Sequence, residues 1–203
     1  MQSDDIDDSA WPHEMSLITS HNETVFTELL FIRDSWRLPT DDRLPDLAPP
    51  PRPTATTFSD SQLIAFTNGW HAAWEKAVAW SLDAVARAQT IQSLMPGDTD
   101  ALRAILPPRW TDALDDERFD HDAWSAWQQR LPRYSPTTFD DIPERRSLVA
   151  LSPAWRRGLE ILVILPFAGP YSRQLGSNGL LLSHESYTTP ELFSASLERF
   201  AAD

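Results

Sequence analysis

The 203-residue sequence predicts an α+β fold: a helix-dominated single domain with a small C-terminal β-sheet, its strands near 159–165 and 179–183. Three observations predict it. Apolar residues recur at three- and four-residue spacing through most of the chain, as on the buried face of amphipathic helices. Leu159 to Leu165 (LEILVIL) is instead a nearly continuous, branched apolar run of strand length, as in a strand covered on both faces. Hydrophobic residues make up 41% of the chain, enough to fill one core.

Residues 1–15 hold Asp4, Asp5, Asp7 and Asp8 among few apolar groups. They cannot offset the entropy of ordering, so a disordered acidic N-terminus is expected. In 16–38, Val25, Phe26, Leu29, Leu30 and Trp36 share one helical face, and Pro39 stops the element. Ser16–Thr24 could instead pair with Val25–Ile32, so the segment is a helix or a hairpin. Pro39, Pro45, Pro49, Pro50, Pro51 and Pro53 then make 39–58 an extended connector that belongs to neither a helix nor a central strand.

Residues 59–141 read as an acidic helical region. Ser59 with Gln62 forms a capping-box pattern, and Leu63, Phe66, Trp70, Trp74, Ala77 or Val78, Leu82 and Val85 mark a buried stripe that continues to Leu94. One helix from Asp60 to Leu94 would be about 50 Å long, so a kink is expected at Asn68-Gly69. Trp80 lies off the stripe and is the tryptophan expected at an interface. Shorter helices are expected at Thr99–Leu106, at Pro108–Leu114 and, capped by Asp120, at His121–Leu131.

The C-terminal portion, 142–203, belongs to the same domain. Glu144–Leu151 reads as a helix, Ser152-Pro153 as the start of another turn, and Gly158 as its end. The strand at 159–165, a loop at 166–178, the strand at 179–183 and a helix opened by Thr188-Thr189-Pro190-Glu191 complete it.

Charge is unevenly divided. Met1–Asp141 carries 24 acidic and 11 basic side chains and Ile142–Asp203 six of each, so the net charge of −13 resides in the first two-thirds. That balance argues against nucleic acid and anionic membrane as partners, because polyphosphates are bound by clustered Lys and Arg. Arginine outnumbers lysine 16 to 1, which reads as codon usage rather than a binding signature. Cysteine is absent, so disulfides, thiol nucleophiles and cysteine-ligated metals are excluded. With an acidic N-terminus in place of a signal sequence and no apolar run of bilayer length, the expected location is cytoplasmic.

No metal site and no cofactor are expected. His71 and Glu75 are one helical turn apart but lack a further ligand at suitable spacing. The acidic run from Asp115 to Asp122 lacks the alternating ligands and central glycine of a calcium loop. Patterns for a nucleophile elbow or a phosphate cradle are missing.

The candidate binding residues are Tyr171, Ser172, Arg173 and Asn178. They lie on the loop leaving the buried strand, where ligand groups are commonly placed, and offer donors suited to a carboxylate or phosphate. Arg145, Arg146, Arg156 and Arg157 precede the same strand and could converge with Arg173 or pair with the acidic region. Two functions are therefore expected. The first is a non-catalytic interaction or regulatory protein, inhibitor- or immunity-like, that turns an acidic face to a protein with a basic surface. The second is a small-molecule enzyme or binding protein with an anion site at 166–178.

Overall fold

The computed structural model describes residues 11–40, 43–55, 57–93, 105–114 and 116–202. A strand that is apolar at every position needs cover on both faces. The central strand β2 (Ile161–Leu165) has it, being buried throughout. It pairs in parallel with β1 (Ile18–His21) on one side and with β4 (Gly179–Ser183) on the other. Strand β3 (Ser172–Leu175) runs antiparallel on the outer side of β4, giving the order β1-β2-β4-β3. Alternation does the rest. Ile161, Val163, Leu165 and Leu181 enter one core with helices α1 (Thr24–Ser35) and α2 (Asp60–Leu82). Leu162, Ile164, Leu180 and Leu182 enter a second, built by α6 (Leu148–Arg156), α7 (His184–Thr188) and α8 (Pro190–Ala202).

The helix-dominated α+β fold is thus present, with several local differences. The 16–38 segment is neither a hairpin nor only a helix. Ile18–His21 finds its partner in β2, and Val25–Ile32 lies within α1. A lone strand of four residues satisfies its amides only by joining a sheet, and here the sheet comes from far along the chain. Trp11–Met15 is also ordered. Its indole donates to the Met15 carbonyl at 3.0 Å, and Met15 is buried in the second core. Residues 1–10, the rest of the expected disordered segment, lie outside the described residues.

Helix α2 opens on the capping box of Ser59 and Gln62 and runs unbroken through Asn68-Gly69. Gly69 serves close approach instead of a kink: a Cβ there would stand 2.5 Å from the Ala113 carbonyl oxygen. The actual break is Asp83, before α3 (Ala84–Ser93). There Asn178 Nδ2 donates to the Leu82 carbonyl at 3.2 Å, satisfying one acceptor that a helix end leaves without an intrahelical partner. Most of the expected 99–106 helix lies outside the described residues, and Pro108–Leu114 contains only the short turn Trp110–Asp112.

Helix α4 (His121–Gln128) is capped by Asp120, whose carboxylate accepts from the Ala123 amide at 2.8 Å. Its Trp127 indole donates to the Pro49 carbonyl at 2.7 Å, and the Arg130 guanidinium to that of Pro50 at 3.1 Å. Prolines have no amide to give but keep their carbonyls. Leu47 pairs with Phe167 in an isolated bridge, so the proline segment is fastened over the loop after β2.

In the C-terminal portion the helix expected at 144–151 is divided. Helix α5 (Pro143–Arg146) ends at Ser147, and α6 continues through Pro153, so Ser152 caps nothing. Gly158, at φ 108°, closes the turn before β2. The 166–178 loop contains β3, and α7 was not expected. No helix among the described residues is long and apolar enough to cross a membrane.

Candidate functional site

The two outer strands each border a cleft. At the β3 edge, Arg173 pairs across from Leu181 and therefore lies on the α2 side of the sheet. With Arg43 from the proline segment, His71, Trp74 and Glu75 from α2, and Tyr171, it lines an open cleft of about 680 Å³. Arg43, Arg173 and Glu75 are exposed, and Trp74 is buried. Trp74 is fixed edge-on to Phe26 at 5.2 Å and stacked on Trp70 at 5.3 Å, so the cleft has a rigid aromatic wall. Tyr171 is positioned through its backbone, whose amide donates to the hydroxyls of Ser183 at 3.1 Å and Ser186 at 2.8 Å.

The other two expected residues contribute differently. Ser172 also borders the cleft, but its hydroxyl accepts from Arg199 on α8 at 3.1 Å, across the opposite face of the sheet. Asn178 is not brought to the cleft. It sits at the end of the β3–β4 turn, donating to the Leu82 carbonyl and, at 3.0 Å, to the Glu160 carboxylate. Arg145 and Arg146 are not there either, for they pair with Asp140 and Asp141. Arg43, within the proline segment, was not foreseen, since it is 128 positions from Tyr171 in sequence.

At the β1 edge the charged group is buried. Glu144, in the first turn of α5 behind Pro143, is only 6% exposed. Thr19 of β1 donates to its Oε1 at 2.8 Å, and the Tyr187 hydroxyl lies 3.0 Å from Oε1 and 2.8 Å from Oε2. Burial first, and then the charge of Glu144, push the Tyr187 pKa far above the usual phenol value, so it stays a donor. Tyr187 packs edge-on against Tyr134 and His21, and His21 stacks on Tyr134 at 5.3 Å. Burial holds the His21 pKa below the ordinary imidazole value; Glu144 opposes that shift and His184 adds to it.

Glu144 also opens outward. It forms part of the lining of a cleft of about 400 Å³, with Thr19 beside it and Trp11, Leu17, Phe139 and Ile142 as walls. Arg145 stands at this cleft but is engaged, its guanidinium 3.6 Å from the Phe139 ring centre and 3.8 Å from the Asp140 carboxylate. Sequence reasoning did not find this arrangement. Thr19 and Tyr187 are 125 and 43 residues from Glu144, so no local pattern signals it.

Among the described residues no group of three or more His, Asp or Glu side chains is placed to hold a metal ion. No protein-family model matches the chain, and neither a curated protein nor a solved structure is similar to it at a significant level.

Proposed function

We propose that this chain is a non-catalytic, cytoplasmic interaction or regulatory protein, inhibitor- or immunity-like, that presents an acidic face to a protein partner with a basic surface. The observation that carries this reading is the charge: −13 overall, with 24 acidic against 11 basic side chains up to Asp141. A field of one sign speeds encounter with the opposite sign and rejects like-charged partners. Affinity capture from the source cell, followed by kinetics on the captured protein, tests it. The partner should have a basic surface, and its association should slow steeply between 0.01 and 0.1 M salt, as the Debye length falls from about 30 to about 10 Å. An on-rate that ignores salt would contradict the reading.

A second reading rests on the approach of Arg43 to Arg173 in the β3-edge cleft. Two guanidiniums facing one opening suit a carboxylate or phosphate, as in a small-molecule enzyme or binding protein with its anion site at 166–178. Tyr171 and Ser172 border the same opening, while Asn178, in the β3–β4 turn, bonds to Leu82 and Glu160 instead. Stabilisation by phosphate or a dicarboxylate in a thermal-shift screen, lost in Arg173→Ala, supports this second reading. A screen in which no anion stabilises the wild type removes it.

A further inference from the structure

We propose that the β1-edge cleft binds an organic cation carried on an apolar body, a primary ammonium or guanidinium whose charge meets Glu144 and whose stem lies along Trp11, Leu17, Phe139 and Ile142. This site is independent of the acidic-face reading, since it takes its charge from one buried residue and not from the field of the whole chain.

A carboxylate removed from water is costly unless it is both hydrogen-bonded and paired with opposite charge. Glu144 has the first. Thr19 and Tyr187 donate to it, but both are neutral hydroxyls. The second is missing: among the described residues Glu144 has no ion-pair partner, although Arg145 and Arg146 are the next two residues in sequence. Those two arginines are spent on Asp140 and Asp141, and the four charges cancel around the cleft. Among the described residues Glu144 is left as a carboxylate without an ion-pair partner.

The cleft accounts for where a balancing charge would come from. Were Glu144 only a structural acceptor for two hydroxyls, glutamine could replace it without the cost of a buried charge, and access from outside would serve no purpose. Instead the residue lines an opening with apolar walls. In such a setting an anion is repelled and a neutral apolar molecule would dry the carboxylate without compensating it. A cation with an apolar stem satisfies both parts of the lining. About 400 Å³ is within the range of small-ligand sites and holds an arginine side chain or an arylalkylamine. Phe139, at 64% exposure, adds an aromatic face at the mouth, already used once by the Arg145 guanidinium.

The test uses the full chain and four probes: phenethylamine, a capped arginine (N-acetyl-arginine-methylamide), the neutral phenethyl alcohol and the anionic 3-phenylpropionate. Titrations are followed by calorimetry and by 1H–15N spectra. One or both cations should bind saturably, moving the Trp11 indole and the Thr19 and Ile142 amides, with affinity at least about tenfold above that of the alcohol. The anion should leave those signals in place. Preference for phenethylamine would assign a free amine as ligand, and preference for the capped arginine a side chain of a polypeptide. Glu144→Gln, which keeps an acceptor for Thr19 and Tyr187, should bring amine and alcohol to equal affinity. If that variant does not fold, the amine–alcohol comparison in the wild type decides alone. Equal binding of amine and alcohol to the wild type, shifts confined to other regions, or no cation binding would each overturn the site. Binding that appears only in Arg145→Ala would overturn it too, by showing that this chain's own arginine is the occupant. None of these outcomes depends on whether a basic protein partner is captured.

Discussion

At the β3 edge the charged groups, the guanidiniums of Arg43 and Arg173 and the carboxylate of Glu75, are all exposed and set against a rigid aromatic wall. At the β1 edge the charge is a carboxylate at 6% exposure, held by hydroxyls from two distant elements and opening into apolar walls. Exposed charges are well solvated, so removing one changes binding more than folding. A buried charge is coupled to the packing around it, and removing its partners is felt by the whole fold. The same kind of substitution therefore reports different things at the two edges.

The largest expected effect is in the aromatic wall. Trp74→Ala and Trp70→Ala should each cost about 3–5 kcal/mol in chemical denaturation, as buried aromatics do. Trp80 is half-buried, donating to the Ile105 carbonyl at 3.2 Å with Arg87 over its ring, and Trp80→Ala should cost under about 1.5 kcal/mol. Equal losses at all three positions would show that the wall is not the rigid part of that edge. Next comes Tyr187→Phe, which removes a donor from a buried carboxylate and should cost about 1.5–3 kcal/mol. A neutral result would mean that Glu144 does not need the hydroxyl, and the contrast between edges would weaken.

Acid should reveal the β1 edge as well. Burial depresses the pKa of both His21 and His184 from 6.5. The unfolded chain then takes up their protons first, so stability falls as pH drops from above 6.5 through their lower folded values. Glu23 and Asp34, raised by burial above 4.5 and 3.8, act in the opposite sense in their more acidic range. The Tm should therefore decline between about pH 7.5 and pH 5.5, and His21→Asn with His184→Asn should flatten that decline. An unchanged slope in the double variant would assign it elsewhere. Smallest of all, Arg173→Ala should alter stability by no more than about 0.5 kcal/mol. An unfolded variant would make Arg173 structural.

Elements whose cause is local were legible in the sequence. The apolar run at Ile161–Leu165, the cap at Ser59 and Gln62, and the stripe through Trp70 and Trp74 all follow from side-chain period and capping chemistry, and each is present. Where the cause is tertiary, the reading failed. Gly69 looks like a break in isolation, but it admits the Ala113 carbonyl; β1 looks like half a hairpin, but its partner is more than 140 residues away. The sites divide the same way. Tyr171 and Arg173 could be named as candidates because a loop after a buried strand is a local signal, whereas the placement of Arg43 in the same cleft and the group of Thr19, Glu144 and Tyr187 exist only through the fold.

The most direct test of opposite chemistry at the two edges uses their own tryptophans. Trp11 lines the β1-edge cleft and Trp74 the β3-edge cleft, so their indole N–H signals, assigned through Trp11→Phe and Trp74→Phe, report each edge separately. Phenethylamine should move the Trp11 signal and leave that of Trp74, while phosphate should do the reverse. Both probes moving the same indole, or the amine moving only that of Trp74, would contradict the account.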